Sequence, residues 1–449
     1  MLQTAQLNTT TVEGIHPGAY RITEIDLTNS YGKSFDIKAL VTQLTILESI
    51  YTFALTGKLE IKDTINLFEE MRLSGQETVA ITFQKRERNS KDTIKIKKHF
   101  YVSEIPLYGK SKDAVQAYVL KIVSKHAFIN NIKSISRSFN GSISKMISNI
   151  VTNTLAYDGV VENTVSSKDN VKLIVPNMKP FAAITWLLRH SFSEKDSPVY
   201  AYETMDGFKI NSHADLFQLS SIGTYRYTFI QGDNPYTDTG YQRLKYKIID
   251  MASDLNSSKY LNSGKGAYAS TTKVLDYATK SYYNVFFDYD NTFSNTSTVN
   301  GLKSKKLLSQ KFKVDGETLN RSRDSLQIYI NANSKSYNNY KNYHEPAIHS
   351  LGHHQSQLEN LDNTKHDITI HGDLEVHPGQ KITIIAPKSI DPQVFNKIKD
   401  KDAKKSVQDD QMISGDYLIS NVIHIFADQY TCQLRLKRDF SNYSLDSVE

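Results

Sequence analysis

The segment Ile413 to Asp439 constrains the fold of this chain more than any other. It reads I-S-G-D-Y-L-I-S-N-V-I-H-I-F-A-D-Q-Y-T-C-Q-L-R-L-K-R-D, two alternating apolar runs on either side of the polar turn Ala427-Asp428-Gln429. A half-buried antiparallel strand needs a side-chain period of two. Tyr430, Cys432, Leu434 and Leu436 share one face of the second run, and Lys437 and Arg438 close it. No catalytic group stands out, so the hairpin reads as barrel wall. His424, alone among Val422, Ile423, Ile425 and Phe426, reads as a satisfied structural histidine.

Strand signals of the same kind fill residues 20–130. Phe35, Ile37, Ala39 and Val41 alternate, as do Tyr51, Phe53 and Leu55, then Leu59 and Ile61 after Gly57, then Val79, Ile81 and Phe83. Ile94, Ile96, Phe100 and Val102 fall on one parity, and Val115 to Val123 is apolar on both, as for a strand covered on two sides. Short strands at this spacing predict a barrel or sandwich. The period then becomes helical. Ile143, Met146, Ile147, Ile150, Val151 and Leu155 recur at offsets of three and four, with Asn140 or Ser142 as the cap. A second helix starts at Pro180, which the first turn tolerates. Val199 to Tyr202 and Phe208 to Ile210 bracket the turn Met205-Asp206-Gly207, a hairpin.

Strands return at Tyr225–Ile249 and Tyr282–Tyr289, around a Ser/Asn/Gly/Lys-rich loop at Asp254–Ala269. Residues 291–345 hold few large apolar groups, and Ser336–Tyr343 reads as a polar aromatic loop. His353–Leu361 predicts a short helix. From Asp367, Ile368 and Ile370 alternate, Pro378-Gly379 breaks the run, Ile382 and Ile384 alternate again, and a charged loop at Lys388–Gln411 precedes the closing hairpin. The predicted class is mainly β with an α+β insert. The divisions are an arm at 1–19, a first barrel at 20–130, a mixed α/β domain at 131–220, a second barrel from 221–290 and 366–440, an inserted region at 291–365, and a tail at 441–449.

With 54 basic and 48 acidic residues the net charge is +6, and the charges are scattered. The densest runs, Lys85–Lys98 and Lys397–Lys405, read as solvated surface, the second being interleaved with Asp400 and Asp402. Mixed charge gives little long-range field, and no basic face for nucleic acid emerges. Cys432 is the single cysteine, which excludes an intrachain disulfide and a multi-cysteine zinc site and suits a reducing compartment. Met1–Gly18 has no apolar signal core, and no apolar run of about 18 residues exists, so no membrane insertion is expected.

Motifs that suggest chemistry fail on spacing. Gly109-Lys110-Ser111 and Gly32-Lys33-Ser34 carry Glu104 and Leu27 where a phosphate-binding loop needs its first glycine. His344 and His349 are five apart, and Pro346 lies between them, whereas a zinc-protease helix needs four. Asp288 and Asp290, beside Tyr289, read as a strand end leading into a loop. No catalytic, cofactor-binding or metal-binding residues are expected, and no cofactor.

Glu48-Ser-Ile-Tyr51, then Leu55, Gly57, Leu59, Ile61 and Asp63, then Ser74-Gly75-Gln-Glu77 and Val79-Ala-Ile81-Thr-Phe83 resemble the first barrel of the baseplate central hub proteins of contractile-tailed, T-even-like phages. Phe139–Val151 resembles the helix that follows there. Asp367–Ile385 and Ser414–Arg438 resemble the second barrel, including its G-x-Y-x-I-x-x-V-x-H strand at Gly415, Tyr417, Ile419, Val422 and His424. Residues 291–350 and Lys388–Gln411 have no counterpart.

The resemblance implies a structural, non-enzymatic virion protein with two tail-tube-like barrels per chain. Three copies would make a homotrimeric ring of pseudo-sixfold symmetry. It would join the sixfold tail tube protein to the threefold central spike protein, contact neighbouring baseplate proteins, and pass phage DNA without sequence-specific binding. Closed rotational symmetry saturates such interfaces, and edge pairing between copies removes an aggregation hazard. The implied place is the virion tail baseplate, after assembly in the host cytoplasm. Two alternatives remain: a hub with a fused cell-wall hydrolase in the inserted region, or the hub of a phage-derived injection machine.

Overall fold

The computed structural model describes residues 16–439 apart from 87–92, 111–114, 168–170, 228–235, 255–258, 278, 293–295, 301–310, 333–344, 389–408 and 411. Of the described residues, strand accounts for 49% and helix for 21%, so the expected mainly β class holds. Lys397–Lys405, Ser336–Tyr343, His344, the tail at 441–449 and most of the arm lie outside the described residues.

The alternating N-terminal sequence forms seven strands: β1 (Arg21–Thr28), β2 (Ser34–Asp36), β3 (Val41–Ser49), β4 (Thr56–Asp63), β5 (Thr78–Arg86), β6 (Thr93–Lys110) and β7 (Gln116–Ser124). They lie in the order β2-β1-β5-β6-β7-β4-β3. One parity of each long strand faces the core, as the pleat requires: Ile22, Ile25 and Leu27 on β1, Val79, Ile81 and Phe83 on β5, Tyr118, Leu120 and Ile122 on β7. β6 spans 18 residues, pairing with β5 along its first half and β7 along its second. Register shifts at Val102/Glu104 and Glu104/Leu107 bend it between the two. The alternation at Tyr51–Leu55 falls on the β3–β4 loop instead of a strand.

Residues 125–218 fold around their own core. The helices Lys125–Ile132, Ile143–Asn149, Pro180–Arg189 and His213–Gln218 accompany β8 (Ile135–Gly141), β9 (Val161–Asn163), β10 (Val171–Met178), β11 (Val199–Glu203) and β12 (Phe208–Ser212). The predicted helix continues as a π turn over Ile150–Thr154. Its apolar face packs Ile143, Met146, Ile147, Ile150, Val151 and Leu155 on Ala183, Ile184 and Leu187. Ser142 stands at the cap position, but its side chain makes no capping bond.

The rest of the chain contributes β13 (Ser221–Tyr227), β14 (Lys247–Asp254), β15 (Ala269–Asp276), β16 (Ser281–Asp288), β17 (Lys313–Val314), β18 (Glu317–Thr318), β19 (Gln327–Ala332), β20 (Thr364–His371), β21 (Lys381–Ile385), β22 (Gly415–Phe426) and β23 (Tyr430–Arg438). Six of these close into a barrel, β22-β21-β13-β14-β20-β23, with β23 pairing back onto β22. The closing hairpin is its wall, and Tyr430, Cys432, Leu434 and Leu436 are buried as predicted.

Four expectations change. Residues 269–288, placed by sequence in the second barrel, instead pair as β15 and β16 with β19 in a separate three-stranded sheet. The helix Glu345–Leu361, expected only from His353, contributes Ile348 to the small core of that sheet. The inserted unit therefore begins before residue 291. Helices at Asp238–Lys245 and Lys259–Gly264 also replace expected strand and loop. Each carries too few apolar residues for a helical period to register.

The strongest departure is the pairing of β3 with β22, from Asn421 opposite Ser49 to Phe426 opposite Leu44. It fuses both strand-built units into one 13-stranded sheet. Their cores merge as well, with Leu44 and Ile46 packed alongside Ile419, Val422 and Phe426. The first unit thus curls from β1 to β3, and among the described residues no β1–β3 pairing closes it.

Candidate functional site at the barrel junction

β3 brings Glu48 opposite Val422 on β22, two residues from His424. Glu48 and His424 are fully buried. Glu48 Oε1 accepts the Met205 N–H at 3.0 Å and lies 3.2 Å from His424 Nε2. Its Oε2 lies 3.1 Å from His377 Nδ1. His424 Nδ1 lies 2.7 Å from Tyr430 Oη and 3.3 Å from Cys432 Sγ. One carboxylate therefore ties together the first sheet, the closed barrel, the His377 turn and the Met205 hairpin. Burial pushes the Glu48 pKa up, but His377 and His424 outweigh it and bring it to about 2. Burial lowers the His424 pKa, while Cys432 and Glu48 raise it to about 10. The pair is a buried ion pair with its remaining polar atoms satisfied, the condition under which such a pair is tolerated.

The turn that carries His377 is the one broken by Pro378-Gly379. Gly379 has φ +86°, and its N–H donates to the Ile419 carbonyl at 2.8 Å. Proline followed by a left-handed glycine is the sequence that a type II turn demands. Of the predicted motif residues, the structure brings Glu48, His424, Pro378 and Gly379 together.

The other motif residues stand apart and serve the frame. Tyr51 accepts a hydrogen bond from Lys437 Nζ at 2.8 Å, and Lys437 also reaches Asp362 at 2.7 Å. A Cβ on Gly57 would lie 2.6 Å from the Thr45 carbonyl, so only glycine lets β4 pass there. Glu77 is buried and accepts the Ser74 and Gly75 N–H groups at 2.6 and 2.9 Å, and Gly75 has φ +85°. Gly415, φ +138°, opens β22. Tyr417 donates to the Ile413 carbonyl at 2.5 Å under the Arg438 guanidinium, 4.4 Å from its ring. Buried Asp63 accepts from the Ile65 and Phe68 N–H groups, both at 3.0 Å, and fixes the turn after β4. Asp63→Ala is expected to cost about 1–3 kcal/mol, the penalty for orphaned donors, read as a lower urea midpoint with m unchanged.

Sequence reasoning missed two buried groups. Lys85, placed by sequence on a solvated rim, is 2% exposed. Its Nζ donates to the Gly372 carbonyl at 2.8 Å and lies 3.4 Å from Asp373, which Lys245 approaches at 3.7 Å. Glu203, at the end of β11, accepts from the Leu55 N–H at 2.7 Å and Ser124 Oγ at 2.5 Å. Each partner lies more than 60 residues away in sequence, so no local signal could have found them.

Cys432, His424 and Glu48 together mimic a nucleophile–base–acid set, which long sequence spacing hid. All three are fully buried, so no substrate carbonyl can reach the sulfur, whose S–H faces the Asp373 carbonyl at 3.7 Å. A groove of about 930 Å³ lies elsewhere, between the Lys259–Gly264 helix and residues 312–325, and none of the motif residues lines it. Among the described residues, no three His, Cys, Asp or Glu side chains converge as a metal site, and no helix is long and apolar enough to cross a membrane.

No family model matches the sequence, and no curated protein matches it. Solved structures do. A tail protein from Neisseria meningitidis superposes with a TM-score of 0.53 at 11% identity, over 94% of this chain and 97% of that one. The fold resembles that of this tail protein. The 43 kDa tail protein of prophage MuSo2 from Shewanella oneidensis has a TM-score of 0.49 at 12% identity, over 93% and 98% of the two chains. A prophage tail protein from Listeria monocytogenes has 0.44 at 8%, over 92% and 94%.

Proposed function

We propose that this chain is a structural virion protein, the central hub adaptor of a tail baseplate. Three copies form a ring that seats the sixfold tail tube on one face and the threefold central spike on the other. Neighbouring baseplate proteins bind outside, and DNA passes through the hole without base-specific contacts. The observation that carries this reading is the fusion of two strand-built units through β3 and β22 in a single chain. Two such units per copy turn threefold into approximate sixfold symmetry, and the buried Glu48 junction fixes the angle between them. The fold-level likeness to the Neisseria tail protein over nearly its whole length supports the same reading.

Cross-linking of assembled tails tests it. The adaptor reading expects cross-links from this chain to both the tube and the spike proteins. Cross-links to neither, in tails where tube–spike neighbours are otherwise captured, sink it.

A further inference from the structure

We propose that copies of this chain join head to tail through β6 of one copy pairing antiparallel with β14 of the next, a seam that repeats the β3–β22 pairing inside the chain. The proposal deepens the ring reading above and rests on it. Five strands of each unit share one arrangement. β5-β6-β7-β4-β3 and β21-β22-β23-β20-β14 have the same order in space and along the chain, and every neighbouring pair is antiparallel. Their irregularities coincide as well. The register slips between Val41 and Gln43 on β3, and between Ile248 and Asp250 on β14. It slips again between Val102 and Glu104 on β6, and between Ile419 and Asn421 on β22. Val102 donates its N–H to the Glu77 carbonyl and Ile419 donates its N–H to the Gln380 carbonyl, both at 2.9 Å. So β14 is the counterpart of β3, and β6 of β22.

The counterparts differ in what covers them. β22 leaves β21 at Leu418 and takes β3 as its neighbour from Asn421 to Phe426. β6 leaves β5 at Tyr101, and among the described residues no strand takes that edge from Ser103 to Lys110. All of these residues except Ile105 are exposed, Leu107 at 65%. Tyr108 rests on the Phe68 ring and Lys110 reaches Glu69, contacts that use no backbone group of the edge. β13 lines β14 only at Lys247 and Ile248, and among the described residues no strand follows it beside the exposed stretch Ala252–Asp254. A bare edge invites another strand. Each of these two edges is the one that its counterpart fills inside the chain, so a second copy supplies each with its partner.

The inner seam also gives the register. Counting from the shared slips sets Leu107 opposite Asp254 of the next copy, Tyr108 opposite Ser253, Gly109 opposite Ala252 and Lys110 opposite Met251. The interface is heterologous, and such an interface closes into a ring when its rotation divides the circle. Three copies then hold six like seams, three within chains and three between them.

The full chain carrying Gly109→Cys and Ala252→Cys, oxidised with copper phenanthroline at micromolar concentration, tests the seam. A Cβ at position 109 meets no atom within 4 Å, and Ala252 is exposed, so both sites accept the change. Directly opposed residues lie about 4.5–5.5 Å apart at Cα, within disulfide reach. Non-reducing electrophoresis should show a covalent species of three times the chain mass. Neither single variant should give it, nor should Lys95→Cys with Ala252→Cys, because β5 already lines β6 at Lys95. Light scattering on the same samples separates the seam from the ring. A trimer without the covalent species overturns the seam and leaves the ring standing. A covalent ladder running past three copies supports the seam and counts against the ring. A monomer overturns both, and cross-links formed equally by the Lys95 control overturn the seam.

Discussion

Glu48→Ala is expected to cost about 3–5 kcal/mol of folding stability, the usual penalty for breaking one side of a buried ion pair. The change leaves the buried His424 and also His377 without their carboxylate partner and the Met205 N–H without its acceptor. Urea unfolding should show a lower midpoint at unchanged m. The pH dependence has a sign on each side. Glu48 titrates at 4.5 when unfolded and about 2 when folded, so its contribution is complete above 4.5 and disappears as the pH falls through about 2. His424 titrates at 6.5 when unfolded and about 10 when folded, so its contribution is complete below 6.5 and disappears as the pH rises through about 10. This pair therefore contributes most between 4.5 and 6.5. A Glu48→Ala chain whose stability profile is as steep as the unmodified chain's on both sides would contradict the pairing.

Gly379→Ala is the second large effect. The left-handed conformation costs an L-residue about 1–2 kcal/mol. The new Cβ would also lie 2.0 Å from Tyr202 Oη, an overpacking that adds about 1–3 kcal/mol. Because the same turn holds His377 against Glu48, the change should not add to Glu48→Ala. A double-mutant cycle should show a coupling of about 0.5–3 kcal/mol, and strict additivity would mean that turn and carboxylate are independent.

Much of the frame was legible because strands announce themselves by parity. The closing hairpin, β5 and the helix from Pro180 follow directly from periodicity and turn residues. Glu48, Gly379 and His424 carried a motif, and the structure joins them at one seam. What sequence could not disclose was register between distant strands. Nothing local tells β3 to pair with β22, or β15 with β19 instead of the barrel. The same limit hid Lys85, whose neighbours Lys95, Lys97 and Lys98 made it look solvated. Its charge is buried only because Asp373 arrives from another part of the chain. Sequence alone marks His424 only as a satisfied strand histidine, and its partners Glu48 and Tyr430 show it to be the centre of the junction.

Cryo-electron microscopy of the purified chain tests the central claim most directly. A threefold ring around an open hole is predicted, with six strand-built units around it in which closed barrels alternate with curled sheets. Particles without a hole, or rings with one such unit per copy, would contradict the account.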